Sequence, residues 1–216
     1  MLLAACTSSA NPTPETAVRV TYEDIAPSGY IDQTVTLEYS GSGLVTPIVE
    51  YVALDAAGDP VEGVTVTAAF GSDQGELAIS SPGGFDVLAF HGDRVTEVVD
   101  IDATVVSAKV LGGGAAAGPA DPIPLFDGDA VTKFDLFDAV EIENATDRAV
   151  AARVVCLVYD FPTPGEAQQA EEITVLVDRV EIPGDSTAIA NVDDGFLLAA
   201  AERGFGCDSL KAHLTP

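Results

Sequence analysis

Ala139-Val140-Glu141-Ile142-Glu143, then Asn144-Ala145-Thr146-Asp147, then Ala149-Val150-Ala151-Ala152-Arg153-Val154-Val155-Cys156-Leu157-Val158-Tyr159 is the stretch whose reading decides the fold. The first segment alternates apolar and acidic residues with a period of two, the pattern of a strand with one buried face. The second gathers the small polar residues that favour a turn. The third is a long apolar run rich in Val, which suits a pleated and buried surface.

Moving toward the carboxyl end, Phe161-Pro162-Thr163-Pro164-Gly165 interrupts the pattern. Ile173–Val180 and Ser186–Val192 read as further strands, joined by the turn Ile182-Pro183-Gly184-Asp185. Phe196–Arg203 has helical spacing and an Ala/Leu composition, with Asp193 or Asp194 as its cap and Gly204 as its stop. Cys207–Leu214 reads as the closing strand.

Moving toward the amino end, the same vocabulary recurs. Val18–Tyr22, Thr34–Tyr39, Ile48–Leu54, Val64–Phe70, Glu76–Ser80, Phe85–Phe90, Val95–Val99 and Ala103–Val110 read as strands separated by Gly, Asp, Ser and Pro. Ile48–Leu54 is nearly continuous in apolar residues, as expected of a strand covered on both faces or lying at a sandwich centre. Short strands at spacings of about 8–12 residues predict an all-β fold built of sandwiches.

The segment 111–122 carries four glycines and no bulky side chain after Leu111, and reads as a linker. The predicted organisation is therefore a lipobox and flexible tether at 1–17, a β-sandwich at 18–110, the linker at 111–122, and a second β-sandwich at 123–216. The class is all-β: two tandem immunoglobulin-like antiparallel sandwiches with a short helix near the C-terminus. Both halves show an alternating strand, a polar turn, an apolar strand ending in Asp, and a later Pro-Gly turn. Asp55 and Asp160 lie 105 residues apart, and Pro82 and Pro183 lie 101 apart, which fits a duplication with a small indel.

Leu157-Val158-Tyr159-Asp160, followed by Ile182-Pro183-Gly184 and preceded by a strand ending in Asn144, resembles the FxLYD-type immunoglobulin-like domains of bacterial surface lipoproteins. The first half resembles them more loosely, through Leu54-Asp55-Ala56-Ala57-Gly58 and Pro82-Gly83. Neither half has Phe at the first motif position, and no Tyr precedes Asp55. The resemblance implies a β-sandwich on an exported lipoprotein and brings no catalytic residues with it. The Asp of the motif is expected to accept backbone N–H groups of the turn that follows, and the Tyr to pack its ring at the sandwich edge with a wet hydroxyl.

Leu3-Ala4-Ala5-Cys6 resembles the lipobox of bacterial lipoproteins, with Cys6 as the acylated residue and a Ser/Thr/Pro tether behind it. Only five residues precede Cys6, fewer than a signal peptide needs, so a start placed too late or a trimmed chain is expected. The remaining cysteines, Cys156 and Cys207, predict one disulfide in an exported protein. Expected localisation follows: the cell membrane, lipid-anchored, on the extracytoplasmic face.

The 35 acidic residues outnumber the 9 basic ones, for a formal charge of −26. That sign repels phosphate backbones and excludes nucleic-acid binding. It reads as a solubilising surface; a specific cationic partner is the sharper alternative.

Few residues speak for chemistry. The two histidines, His91 in a turn and His213 near the end, read as solvated. No Gly-x-Ser-x-Gly elbow or phosphate-binding loop occurs. The acid pairs Asp100/Asp102, Asp127/Asp129 and Asp193/Asp194 are expected by chance in so acidic a chain. Asp127 and Asp129 are the best, and weak, candidates for calcium, lacking a twelve-residue loop. No cofactor is expected. The leading reading is a non-catalytic envelope lipoprotein that binds a protein or cell-wall partner or acts as a spacer. The alternatives are a salt-sensitive assembly or stress accessory and an enzyme acting on carbohydrate or peptide.

Overall fold

The computed structural model describes residues 13–23, 33–112, 123–125, 137–159, 170–192, 194–203 and 206–216. The first half contains a helical turn α1 (Pro14–Ala17) and strands β1 (Val18–Glu23), β2 (Thr34–Tyr39), β3 (Leu44–Leu54), β4 (Thr65–Ala68), β5 (Ile79–Ser80), β6 (Gly83–His91) and β7 (Asp100–Gly112). The second contains β8 (Ile123–Leu125), β9 (Ala139–Asn144), β10 (Val150–Tyr159), β11 (Ala170–Ile182), β12 (Ser186–Asn191), helix α2 (Asp194–Arg203) and β13 (Ser209–Leu214).

The fold is an all-β sandwich architecture of antiparallel sheets. One first-half sheet runs β1-β2-β6-β4 and the other β5-β3-β7. The second half repeats this winding, with β8-β9-β12 and β11-β10-β13. Matching strands in order, β2 corresponds to β9, β3 to β10, β6 to β12 and β7 to β13. The period-2 pattern builds the inner faces: Val35, Leu37 and Tyr39 of β2 are buried, as are Val140 and Ile142 of β9.

The two Asp-ended strands differ in what covers them. On β3, Glu50 and Val52 face solvent while Val49 and Ala53 are buried, so this strand has one covered face over that stretch. On β10, both faces are covered. Val150, Ala152, Val154, Cys156 and Val158 belong to the core of the second half. Val155 and Leu157 alternate with them and join the core of the first half, beside Val87, Leu88 and Phe70. The continuous apolar run 154–158 is thus explained by a strand that serves two cores at once. Burying Val155 and Leu157 stabilises the junction by about 1.5–3 kcal/mol for each side chain.

Several expectations are corrected. Val95–Val99 is not a strand: Val95–Glu97 is a single 3-10 turn, held by a two-pronged pair of Arg94 with Glu97 at 2.8 and 2.6 Å. Of Glu76–Ser80, only Ile79–Ser80 is strand, because the preceding residues form a loop wrapped around a buried carboxylate. Leu111 and Gly112 continue β7, since Gly112 pairs with Leu44, while the rest of the expected linker lies outside the described residues. Within the expected tether, Pro14–Ala17 forms α1, which buries Ala17.

Candidate functional site

Loop 69–78 connects β4 to β5 and sits where the halves meet. Its anchor is Asp86, fully buried on the inner face of β6. One carboxylate oxygen accepts the amides of Phe70 at 2.7 Å and Val87 at 2.8 Å. The other accepts the Ser72 amide at 3.0 Å, and the Ser72 hydroxyl lies 2.7 Å from that of Tyr51. Burial pushes the Asp86 carboxyl up to about 6 despite these donors, which pull it down. The Tyr51 hydroxyl is also pushed up by burial.

From the second half, Arg153 on β10 reaches across to this loop. Its guanidinium pairs with Glu76 of the loop and with Asp178 of β11 at 2.7 Å. Beside it, a cleft of roughly 280 Å³ opens between β4, β6 and β11, lined by Thr67, Gln74, Ala89, His91, Arg153 and Ile173 among others. The Thr67 hydroxyl lies 2.9 Å from Nε2 of His91. Two carboxylates already match the Arg153 charge, so the guanidinium acts as a structural tie between halves rather than as a free anion receptor.

Three more contacts cross the junction. The Ala170 amide donates to Oε1 of buried Gln33 at 2.6 Å. The Ala78 amide donates to the Leu214 carbonyl at 3.0 Å. The His213 ring stacks on Phe70 with centroids 4.6 Å apart.

A second polar centre lies at the far end of the second half. Asn144, 1% exposed, donates through Nδ2 to the carbonyls of Arg148, Ile182 and Pro183 at 2.7, 3.2 and 3.0 Å. Its Oδ1 accepts the Thr146 amide and hydroxyl. One side chain thereby ties the β9–β10 turn to the β11–β12 turn. Gly184 completes the joint, since a Cβ there would lie 2.5 Å from the Asp147 carbonyl carbon.

The sequence-predicted residues fall as follows. Cys156 and Cys207 form a disulfide, with Cα atoms 5.5 Å apart. Asp55 accepts the amides of Ala57 and Asp59 through Oδ1 at 2.8 and 3.0 Å, as its turn role requires. Tyr159 is half-buried against the first-half core. His91 is exposed, as expected, but His213 is not: it is 8% exposed, because β13 carries it into the junction. Cys6, Asp127, Asp129, Asp160 and Asp193 lie outside the described residues. Among the described residues, no group of three or more His, Cys, Asp or Glu is placed to hold a metal ion, and no helix is long and apolar enough to cross a membrane.

Sequence reasoning missed Asp86, Arg153 and Asn144 as organising groups. For Asp86 a signal existed, an acid inside the otherwise apolar run Phe85–Phe90. The fold and these joints define an all-β sandwich protein whose halves are joined through β10, β11 and β13. No family model, no curated protein and no solved structure matches the chain.

Proposed function

We propose that this chain is a non-catalytic exported lipoprotein, anchored through Cys6 on the extracytoplasmic face of the cell membrane, and that it works as a cell-envelope spacer or binding module. The observation that carries the reading is the burial of β10 on both faces, with Val155 and Leu157 in one core and Val154 and Cys156 in the other. Shared packing of this kind makes a tandem stiff, which is what holding a surface at a set height above a membrane demands. The Cys156–Cys207 disulfide suits an oxidising compartment. Leu3-Ala4-Ala5-Cys6 and the FxLYD-like Leu157–Asp160 segment support the same compartment.

A second reading, an envelope accessory that binds cationic protein partners, is favoured by the formal charge of −26. Association that weakens strongly between low and physiological salt would select it over the spacer.

The anchoring is tested by expressing the full-length gene product in a bacterium fed a labelled fatty acid. The wild type is expected to carry the label and sediment with membranes, and Cys6→Ser to lose both. A wild-type protein that takes up no label overturns the reading.

A further inference from the structure

His213 is a titratable ring that β13 places between the halves, stacked on Phe70. In β13 it stands in register with Arg153 of β10. Alternation turns it toward the first half, whereas its neighbours Ala212 and Leu214 pack in the second-half core. The ring lies nearly parallel to Phe70, at 26°. Both ring nitrogens are buried without a partner in hydrogen-bond geometry among the described residues; the Phe70 backbone favours the charged form slightly.

Burial weighs most against a charged ring, and the nearest cation adds to it. On β10 it faces the Arg153 guanidinium, whose partners Glu76 and Asp178 stand on the loop and on β11. On its own strand, Lys211 lies two residues away on the same face. On the loop side, Asp86 grips the Phe70 amide from within the first half, where it is itself fully buried. A proton on His213 would therefore place an imidazolium in a buried apolar contact, beside a guanidinium and with no acceptor of its own among the described residues.

We infer that the junction is an acid-sensitive latch: protonation of His213 breaks its stack on Phe70 and releases the second half from the first. Burial, then Arg153, depress the His213 ring to about 3. A histidine lowered in the docked state binds fewer protons there than when released. Docking is thus fully present above the ordinary value of 6.5 and weakens about tenfold per pH unit below it, down to about 3. Asp86 titrates in the same range, raised by burial to about 6, and its three amide partners all belong to the first half.

Two amides report docking directly, because each donates across the junction: Ala78 to Leu214 and Ala170 to Gln33. Native-state hydrogen exchange of the full chain, corrected for intrinsic rates, is measured at pH 7.5 and pH 5. Protection of both amides is expected to fall about 30-fold, while core amides of β2 hold theirs. In His213→Phe, which keeps a stacking ring and cannot titrate, the fall should vanish; His213→Gln serves as the second variant. Unchanged protection of Ala78 and Ala170 in the wild type, or an equal fall in the variants, overturns the inference.

Discussion

Arg153 of the second half and Glu76 of the first, 77 residues apart in sequence, form a direct ion pair across the junction. The Arg153 side chain is 9% exposed and Glu76 37%, so the pair is only partly open to water. Asp178, the other partner of Arg153, is 83% exposed. Glu76→Ala is expected to lose about 1–2 kcal/mol of stability, and Asp178→Ala no more than about 0.5 kcal/mol. Urea unfolding of both variants checks this; equal losses would contradict it.

Asn144 is expected to be among the most sensitive polar positions. Asn144→Ala removes the shared donor of three carbonyls, two of which keep a hydroxyl donor from Thr146 or Ser186, and should cost about 2–4 kcal/mol. Asn144→Asp should fare no better, since it turns an acceptor oxygen toward those carbonyls. Denaturant midpoints decide the point, and a near-neutral Asn144→Asp would show the network to be unimportant.

Gly184→Ala should also destabilise, because the added methyl meets the backbone at Asp147 and Arg148. A loss of about 1–3 kcal/mol is expected, against little change for Gly58→Ala beyond its backbone strain, where open space surrounds the site. Thermal unfolding of the pair gives the comparison.

Removing the disulfide by Cys156→Ala with Cys207→Ala opens a loop of 51 residues. Chain entropy puts the loss at about 4 kcal/mol. An unchanged denaturation midpoint in the double variant would mean that packing of β13 on β10 alone holds this end.

The pH dependence of global stability combines two buried groups of opposite sign. Asp86, raised to about 6 from 3.8, binds more protons in the native state, so its contribution grows as pH falls between those values and is smallest above 6. His213, lowered to about 3 from 6.5, binds fewer, so its contribution shrinks over the same descent. In the wild type the two slopes oppose each other between about pH 6 and 4. His213→Phe should become more stable, and Asp86→Asn less stable, as pH falls from 6 to 4, relative to wild type. Parallel pH profiles for all three proteins would refute the assignment.

Local chemistry made much of the architecture legible. The alternation of Thr34–Tyr39 gives β2 to the residue, and the alternation of Ala139–Glu143 gives β9 to within one residue. Turn residues at Asp55–Asp59 declare their own hydrogen bonds, because the side chain that closes the turn is two to four residues from its partners. The spare cysteines announced their pairing by being the two left once Cys6 is read as the lipidation site. Misreadings arose where local signals were ambiguous. Val95–Val99 has β-type residues, yet Val95–Glu97 closes as a 3-10 turn with Arg94 paired to Glu97, and His213 looked solvated only because it is close to the end.

The sequence by itself determined most of the strands and turns, the late helix and the disulfide, because each depends on neighbours along the chain or on residue type. Only the tertiary structure decided that β10 serves two cores, that Asp86 gathers three amides, and that Arg153 and His213 stand between the halves. Apart from the Val87 amide next to Asp86, those arrangements join residues separated by 14 to more than 100 positions, and contacts between distant segments leave no periodic trace in either one.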